Sequence, residues 1–278
     1  MSAPASALPK LSRALPDRLQ GHLHTARQLA EQDAERPVAV RPTGLPPVDR
    51  LLSGGLHHGR LVEIVGRRSC GRFSIALAAL AATTARGEVA ALVDLSDALD
   101  PQNATAAGVD LDRLLWVRPP HMKPALIATE AILGAGFPLV ILDLGLPPVP
   151  GGRGAETFWL RLSRAADLQG STLLVSAPYR VSGTAAAAVL AAADCRPGWS
   201  GRGASPRLLH GVRGRLRLEK LRGHALGTDE DLDLTAPESL APFAPARPPR
   251  EDHSAGRTRS DRASEHPSPA RRSWAHAG

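Results

Sequence analysis

Between Gly66 and Ser74 the sequence reads GRRSCGRFS. Gly66 and Gly71 enclose four residues and a cation follows, the frame of a loop whose backbone N–H groups cradle phosphate. Two positions break the pattern. Arg72 stands where a lysine would reach the terminal phosphates as a point charge, and its planar fork fits differently. Phe73 stands where a Ser or Thr hydroxyl would hold Mg²⁺. Ser74 carries its hydroxyl one residue late, about 100° further round a helix, and is a poor substitute. Phosphate affinity can outlive such changes; metal-assisted hydrolysis does not. A tight strand–helix turn without any ligand is the plainer reading. Arg67 and Arg68 make the loop strongly basic, either for DNA phosphates or as solvated charge. A second candidate is Asp143, at the end of LVILDLG. A carboxylate there holds Mg²⁺ through water in nucleotide-binding sheets, or caps a turn.

The elements that must position these groups follow from hydrophobic patterning. RLVEIVG (60–66) reads as a buried strand running into the glycine-rich turn, with a helix from Phe73 to Thr84. Further strands are expected at 89–96, 114–119, 138–145 and 171–178, with helices at 124–133 and 156–168. Nearly continuous apolar strands alternating with helices predict an α/β fold, a mostly parallel sheet covered on both faces. RLRLEKLR (215–222) alternates and predicts a further strand at the sheet edge.

Outside this core, residues 1–37 form an N-terminal extension. Leu19, Leu23, Ala26 and Ala30 mark one amphipathic helix over 16–35. The core is expected over 38–235. Residues 236–278 are Pro-, Ser- and Arg-rich with few core residues, a composition that predicts a disordered basic tail. Trp274 in that tail is a candidate partner motif or part of a solvating end.

The net charge of +7 and pI near 10.5 favour polyanionic partners. Cys70 and Cys195 belong to no Cys/His cluster, which argues against a zinc site and for a reducing cytoplasm. No N-terminal apolar segment and no run of membrane-spanning length occurs. Arg215 and Arg217 share one face of their strand with Glu219 and Leu221, while Leu216, Leu218 and Lys220 share the other. The arginines read as a solvated face, or as one that tracks phosphates or a partner. DCRPGWSGRGASPR (194–207) reads as a loop, in which Trp199 flanked by Arg196, Arg202 and Arg207 either stacks on a base or tucks onto the surface.

Five segments in order resemble the bacterial RecA recombinases: PTGLPPVDRLLSGGLHHGRLVEIVG (42–66), VDLSDALDP (93–101) with AAGVDLDRLLWVRP (106–119), LVILDLG, LLVSAP and RLRLEKLRG (215–223). The resemblance implies a RecA-like core over roughly 38–225, with Asp143 in the Mg²⁺-linked position. It also implies that Lys220 and Arg222 match cations that reach a neighbouring subunit's nucleotide, and so a contact for self-association. It exposes departures as well. The catalytic glutamate position is Ser96, and the strand-end polar sensor falls near Ala177 and Pro178. With Arg72 and Phe73, these are four losses in one reaction centre.

A RecA-like core with a short N-terminal helix, a degenerate nucleotide site and a basic tail is similar to the ImuA family. That resemblance implies a non-catalytic accessory role in SOS-induced translesion DNA synthesis. The implied partners are RecA, ImuB, an error-prone C-family DNA polymerase and DNA, with at most weak ATP binding and no efficient hydrolysis. The rival expectations are an active RecA-family ATPase that forms its own filament on DNA, and an inhibitor that binds RecA or another SOS-linked protein without a polymerase partner.

Overall fold

The computed structural model describes residues 39–145, 155–200, 208–221 and 227–235. Chain order runs β1 (Val40–Arg41), α1 (Pro46–Leu51), β2 (Leu56–His57), β3 (Leu61–Gly66), α2 (Arg72–Ala85), β4 (Ala90–Asp94) and α3 (Pro101–Ala106). A 3₁₀ turn (Leu111–Arg113) then leads into β5 (Leu114–Val117), α4 (Met122–Gly134), β6 (Leu139–Asp143), α5 (Ala155–Gln169), β7 (Thr172–Ala177), β8 (Ala188–Ser200), β9 (Leu208–Leu221) and β10 (Asp229–Thr235).

Eight strands form one sheet in the order β10-β9-β8-β3-β7-β6-β4-β5. From β8 to β5 every neighbouring pair is parallel, and β9 and β10 add antiparallel strands at one edge. Every residue of β4, β6 and β7 is buried, as expected where helices cover both faces of a parallel sheet. Alternation divides these strands between two apolar layers. Ile64, Leu92, Ile141 and Leu174 pack with Ile75, Ala79 and Leu80 of α2, while Val65, Val93, Val140 and Val175 pack with Leu133 of α4 and Trp159 of α5. Burying a side chain of this size contributes roughly 1.5–3 kcal/mol, so the layers hold the strand tips in fixed register.

Two buried charges bind the sheet to its surroundings. Glu63, fully buried on central strand β3, accepts hydrogen bonds from Val181 N at 2.6 Å and from the Ser182 hydroxyl, and so anchors the segment between β7 and β8. Arg41 donates to Glu88 Oε2 at 3.2 Å and to Pro138 O at 3.0 Å, tying the lead-in segment to the amino ends of the strands.

The sequence reading places five strands, β3 to β7, and the helices α2, α4 and α5 to within about two residues. It is corrected in three places. First, residues 194–200 are not loop but the distal half of β8; residues 201–207 lie outside the described residues. Hairpin pairing to β9 decides the matter, because Pro197, Gly198 and Trp199 are opposed by Val212, Gly211 and Leu209 despite their turn-like composition. Second, the strand containing 215–221 is interior, since β10 covers it. Third, Leu221 turns inward with Leu216 and Leu218. Val189 pairs with Lys220 and Leu190 with Leu218, so Glu219 is an extra residue and the alternation reverses there. The N-terminal helix over 16–35 and the tail over 236–278 lie outside the described residues.

Candidate functional site

The site is built from the carboxyl ends of adjacent parallel strands, where open α/β sheets place their ligands. Asp94 pairs in register with Asp143, and Asp143 with Ser176. β4, β6 and β7 therefore present Asp94, Asp143 and Ser176 as one row, and all three are buried. β3 ends beside this row and turns through Arg67–Gly71 into α2.

The turn needs its glycines. Gly71 has φ +87°, and a Cβ there would lie 2.3 Å from Leu234 Cδ1 of β10. A Cβ on Gly66 would lie 2.5 Å from Cys70 Sγ. Arg67 and Arg68 are exposed, and Phe73 is half-buried against the α2 layer.

Arg72 does not point out to meet a phosphate. Its side chain is buried, with Nη1 donating to Ser176 Oγ at 2.7 Å and Nη2 donating to Gly145 O at 2.9 Å. The same Nη1 lies 3.8 Å from Asp143 Oδ1, while Nε has no hydrogen-bond partner. The guanidinium thus sits inside the row, on the groups that a metal-bound phosphate would otherwise organise. The charge that the loop frame retains at Arg72 is thus engaged at the strand tips. The longer, forked side chain reaches past the loop to the strand tips and finds a hydroxyl and a carbonyl acceptor there.

Ser96 completes the closure. Its hydroxyl lies 3.3 Å from Asp94 Oδ1 and 3.1 Å from Asp143 Oδ2, within donating distance of both carboxylates. A Cβ on Gly145 would lie 2.5 Å from Ser96 Cβ, so the segment after β6 packs directly against position 96. Asp94 is also occupied, accepting from Leu99 N at 2.9 Å and Ala98 N at 3.1 Å as the cap of the turn after β4. Burial pushes the Asp143 carboxyl above its usual range, against the opposing pull of Ser176, Arg72 and Ser96. Its one nearby cation is held at salt-bridge rather than hydrogen-bond distance, which leaves burial the larger effect.

The residues present do not fit Mg²⁺-nucleotide chemistry. The Asp143 carboxylate already faces a cation, the hydroxyl position is Phe73, and the position for a water-orienting acid is Ser96, whose hydroxyl is spent on Asp94 and Asp143. Ala177, near the position where a polar sensor falls in the resemblance, is buried and apolar, and the polar side chain at this strand end is Ser176, whose Oγ accepts from Arg72. The sequence reading missed Ser176 and Gly145; the alternation of TLLVSA, which puts Ser176 on the same face as Leu174, was the available signal for the first.

The other candidates lie at the far edge of the sheet. Arg215 and Arg217 share a face of β9 with Arg213, and Arg196 of β8 stands directly opposite Arg213. β10 runs alongside with Asp229, Asp231 and Asp233 paired to Arg217, Arg215 and Arg213. Arg217 Nε donates to Asp229 Oδ1 at 3.0 Å, and Arg213 Nε to Asp233 Oδ2 at 3.0 Å. Trp199 is 54 % exposed on β8 opposite Leu209. Lys220 Nζ donates to the carbonyls of Gly183 and Thr184 at 3.3 Å. Arg202 and Arg222 lie outside the described residues.

A mostly parallel sheet whose central strand enters a glycine-rich turn and helix, with an acid at the tip of the second strand over, defines an α/β protein with a phosphate-loop architecture. Residues 21–150 match the RecA N-terminal domain. The chain is 38% identical over 118 residues to Protein RecA of Picosynechococcus, covering 42% of this chain and 34% of that one. It is 39% identical over 121 residues to Protein RecA of Nocardia farcinica, covering 43% and 35%, and 41% identical over 125 residues to that of Symbiobacterium thermophilum, covering 44% and 36%. The chain is RecA-like through this part, and it spans about a third of the length of the curated relatives it matches. Among the described residues, no helix is long and apolar enough to cross a membrane.

Proposed function

We propose that this chain is a non-catalytic, RecA-like accessory protein of SOS-induced translesion DNA synthesis in the cytoplasm, which links RecA, ImuB and an error-prone C-family DNA polymerase at damaged DNA. The observation that carries the non-catalytic half is the buried Arg72 guanidinium on Ser176 Oγ and Gly145 O beside Asp143. A scaffold that fills its own phosphate and metal positions acts by contact. Arg67, Arg68, Arg196, Arg215, Arg217 and the exposed Trp199 are the surfaces offered to DNA or a partner, with Lys220 and Arg222 at a contact between subunits. The partners follow from the ImuA resemblance. ATP, where it binds, does so weakly and without turnover.

The test has two arms. Phosphate release from ATP by the purified chain is expected at background, with or without single-stranded DNA. A pull-down with the folded chain is expected to recover ImuB or RecA, and recovery of neither overturns the adaptor role. The second reading, an active filament-forming ATPase, draws on the intact frame of Gly66, Gly71 and Asp143 around the strand–helix turn. It requires DNA-stimulated turnover that falls on Asp143→Asn.

A further inference from the structure

We infer that β10 is an acidic strand that silences a nucleic-acid backbone track on β8 and β9, competing with phosphates for the arginine row. The inference rests on the reading that these arginines meet DNA and adds the element that regulates them.

Arg213, Arg215 and Arg217 occur at every second position of β9, so their Cα atoms step by roughly 6.7 Å along one face. That repeat resembles the phosphate-to-phosphate repeat of an extended single strand, and each guanidinium can fork onto a phosphate. The row is widened by Arg196, which directly opposes Arg213. Two like charges opposed on neighbouring strands repel unless an anion lies between them. Among the described residues no carboxylate pairs with Arg196.

The sequence DEDLDLT of β10 answers the row position by position. Asp229 meets Arg217 and Asp233 meets Arg213 in hydrogen-bonded pairs, and Asp231 stands opposite Arg215. A polar cavity of about 350 Å³ is lined by Arg215, Asp229, Glu230 and Asp231. Glu230 is taken instead by Arg50 Nη2 at 2.7 Å, which ties β10 to α1. The alternate residues Leu232 and Leu234 are buried in the α2 layer, so the acids are held in place by apolar packing as well as by charge. Three aspartates thereby cancel the charge whose release of counterions would drive backbone binding. The even spacing of the arginines along β9 favours a repeating phosphodiester over an acidic protein as the ligand.

The test uses the full chain, a fluorescein-labelled oligothymidylate and anisotropy across a salt series. Asp229→Asn/Asp231→Asn/Asp233→Asn is expected to tighten binding about tenfold or more and to steepen the dependence on salt, because freed arginines neutralise additional phosphates. Adding Arg213→Ala and Arg215→Ala to that variant is expected to reverse the gain. Circular dichroism and urea melts confirm that each variant is folded. A folded triple variant with unchanged affinity overturns the silencing role. If Arg196→Ala/Arg215→Ala in the original chain still weakens binding, the DNA reading survives that failure; if it does not, both fall. Equal binding of polyglutamate by the triple variant overturns nucleic acid as the ligand.

Discussion

Arginine meets aspartate at the strand tips and again on the β9–β10 face, in opposite surroundings. At the strand tips Arg72 and Asp143 have side chains only 8% and 5% exposed. On the β9–β10 face Arg213 and Asp233 are 81% and 60% exposed. In water the second pair competes with solvent and salt and contributes little. In the interior the first pair cannot be broken cheaply, because either partner alone would be a buried charge without compensation. The buried pair is therefore a structural commitment, while the exposed row remains available for exchange with another anion.

The largest expected effect follows from the buried pair. Arg72→Met leaves Asp143 beside Asp94 without its cation and leaves Ser176 Oγ and Gly145 O without their donor. A loss of about 3–5 kcal/mol in urea unfolding is expected. Arg72→Met/Asp143→Leu is expected to recover a substantial part of it, because the stranded charge is gone. A loss under about 1 kcal/mol for the single variant would make the two regions energetically alike and end the contrast.

Next comes the turn. Gly71→Ala forces a side chain into the left-handed region, costing about 1–2 kcal/mol, and drives its Cβ to 2.3 Å from Leu234 Cδ1. In a Leu234→Ala background the clash disappears but the backbone cost stays, so the penalty of Gly71→Ala should shrink without vanishing. Equal penalties in both backgrounds would mean that β10 does not rest on the loop.

The two regions are also expected to titrate with opposite signs. Burial raises the Asp143 carboxyl, so between the unfolded value of about 4 and its raised folded value the native state holds more protons than the unfolded one. Stability from this group is therefore greatest at low pH and falls as pH rises through that window. Asp229 is lowered, first by its hydrogen bond from Arg217. Its stability is present above the unfolded value and is lost as pH falls. Urea midpoints of Asp143→Asn and Asp229→Asn, each compared with the original chain from pH 3 to pH 7, should diverge in opposite directions. Divergence in the same direction would refute the assignment of one region as buried and the other as solvated.

Much of this architecture was legible because parallel strands buried on both faces must be continuously apolar, and VAALVD, PLVILD and STLLVSA are. The frame of the loop was legible too, since Gly66 and Gly71 are backbone requirements that survive a change of chemistry. The direction of Arg72 was not. A motif records position along the chain, whereas the guanidinium's choice of Ser176 and Gly145 depends on two strand ends 104 and 73 residues away. The reversal at Glu219 escaped for a similar reason: a bulge is set by the partner strand, and RLRLEKL alternates perfectly well without one. The distal half of β8 was hidden by Pro197, Gly198 and Gly211, turn-forming residues tolerated where β8 has run past the end of β3 and is paired only on its β9 side.

The smallest expected effect is the sharpest probe of what the exposed row is for. Arg213→Ala removes a hydrogen bond to Asp233 that is open to solvent on both sides. It also relieves the opposition of Arg213 and Arg196 across the β8–β9 pair. The two changes have opposite signs, so stability should move by no more than about 0.5 kcal/mol, and a slight gain is as consistent with the geometry as a slight loss. That outcome would fit the proposed contact role of the row and not a role in the fold. A stability loss above about 1 kcal/mol for Arg213→Ala, measured by urea unfolding at moderate salt, would instead make the row part of the scaffold and return the β9–β10 face to the same footing as Arg72 and Asp143.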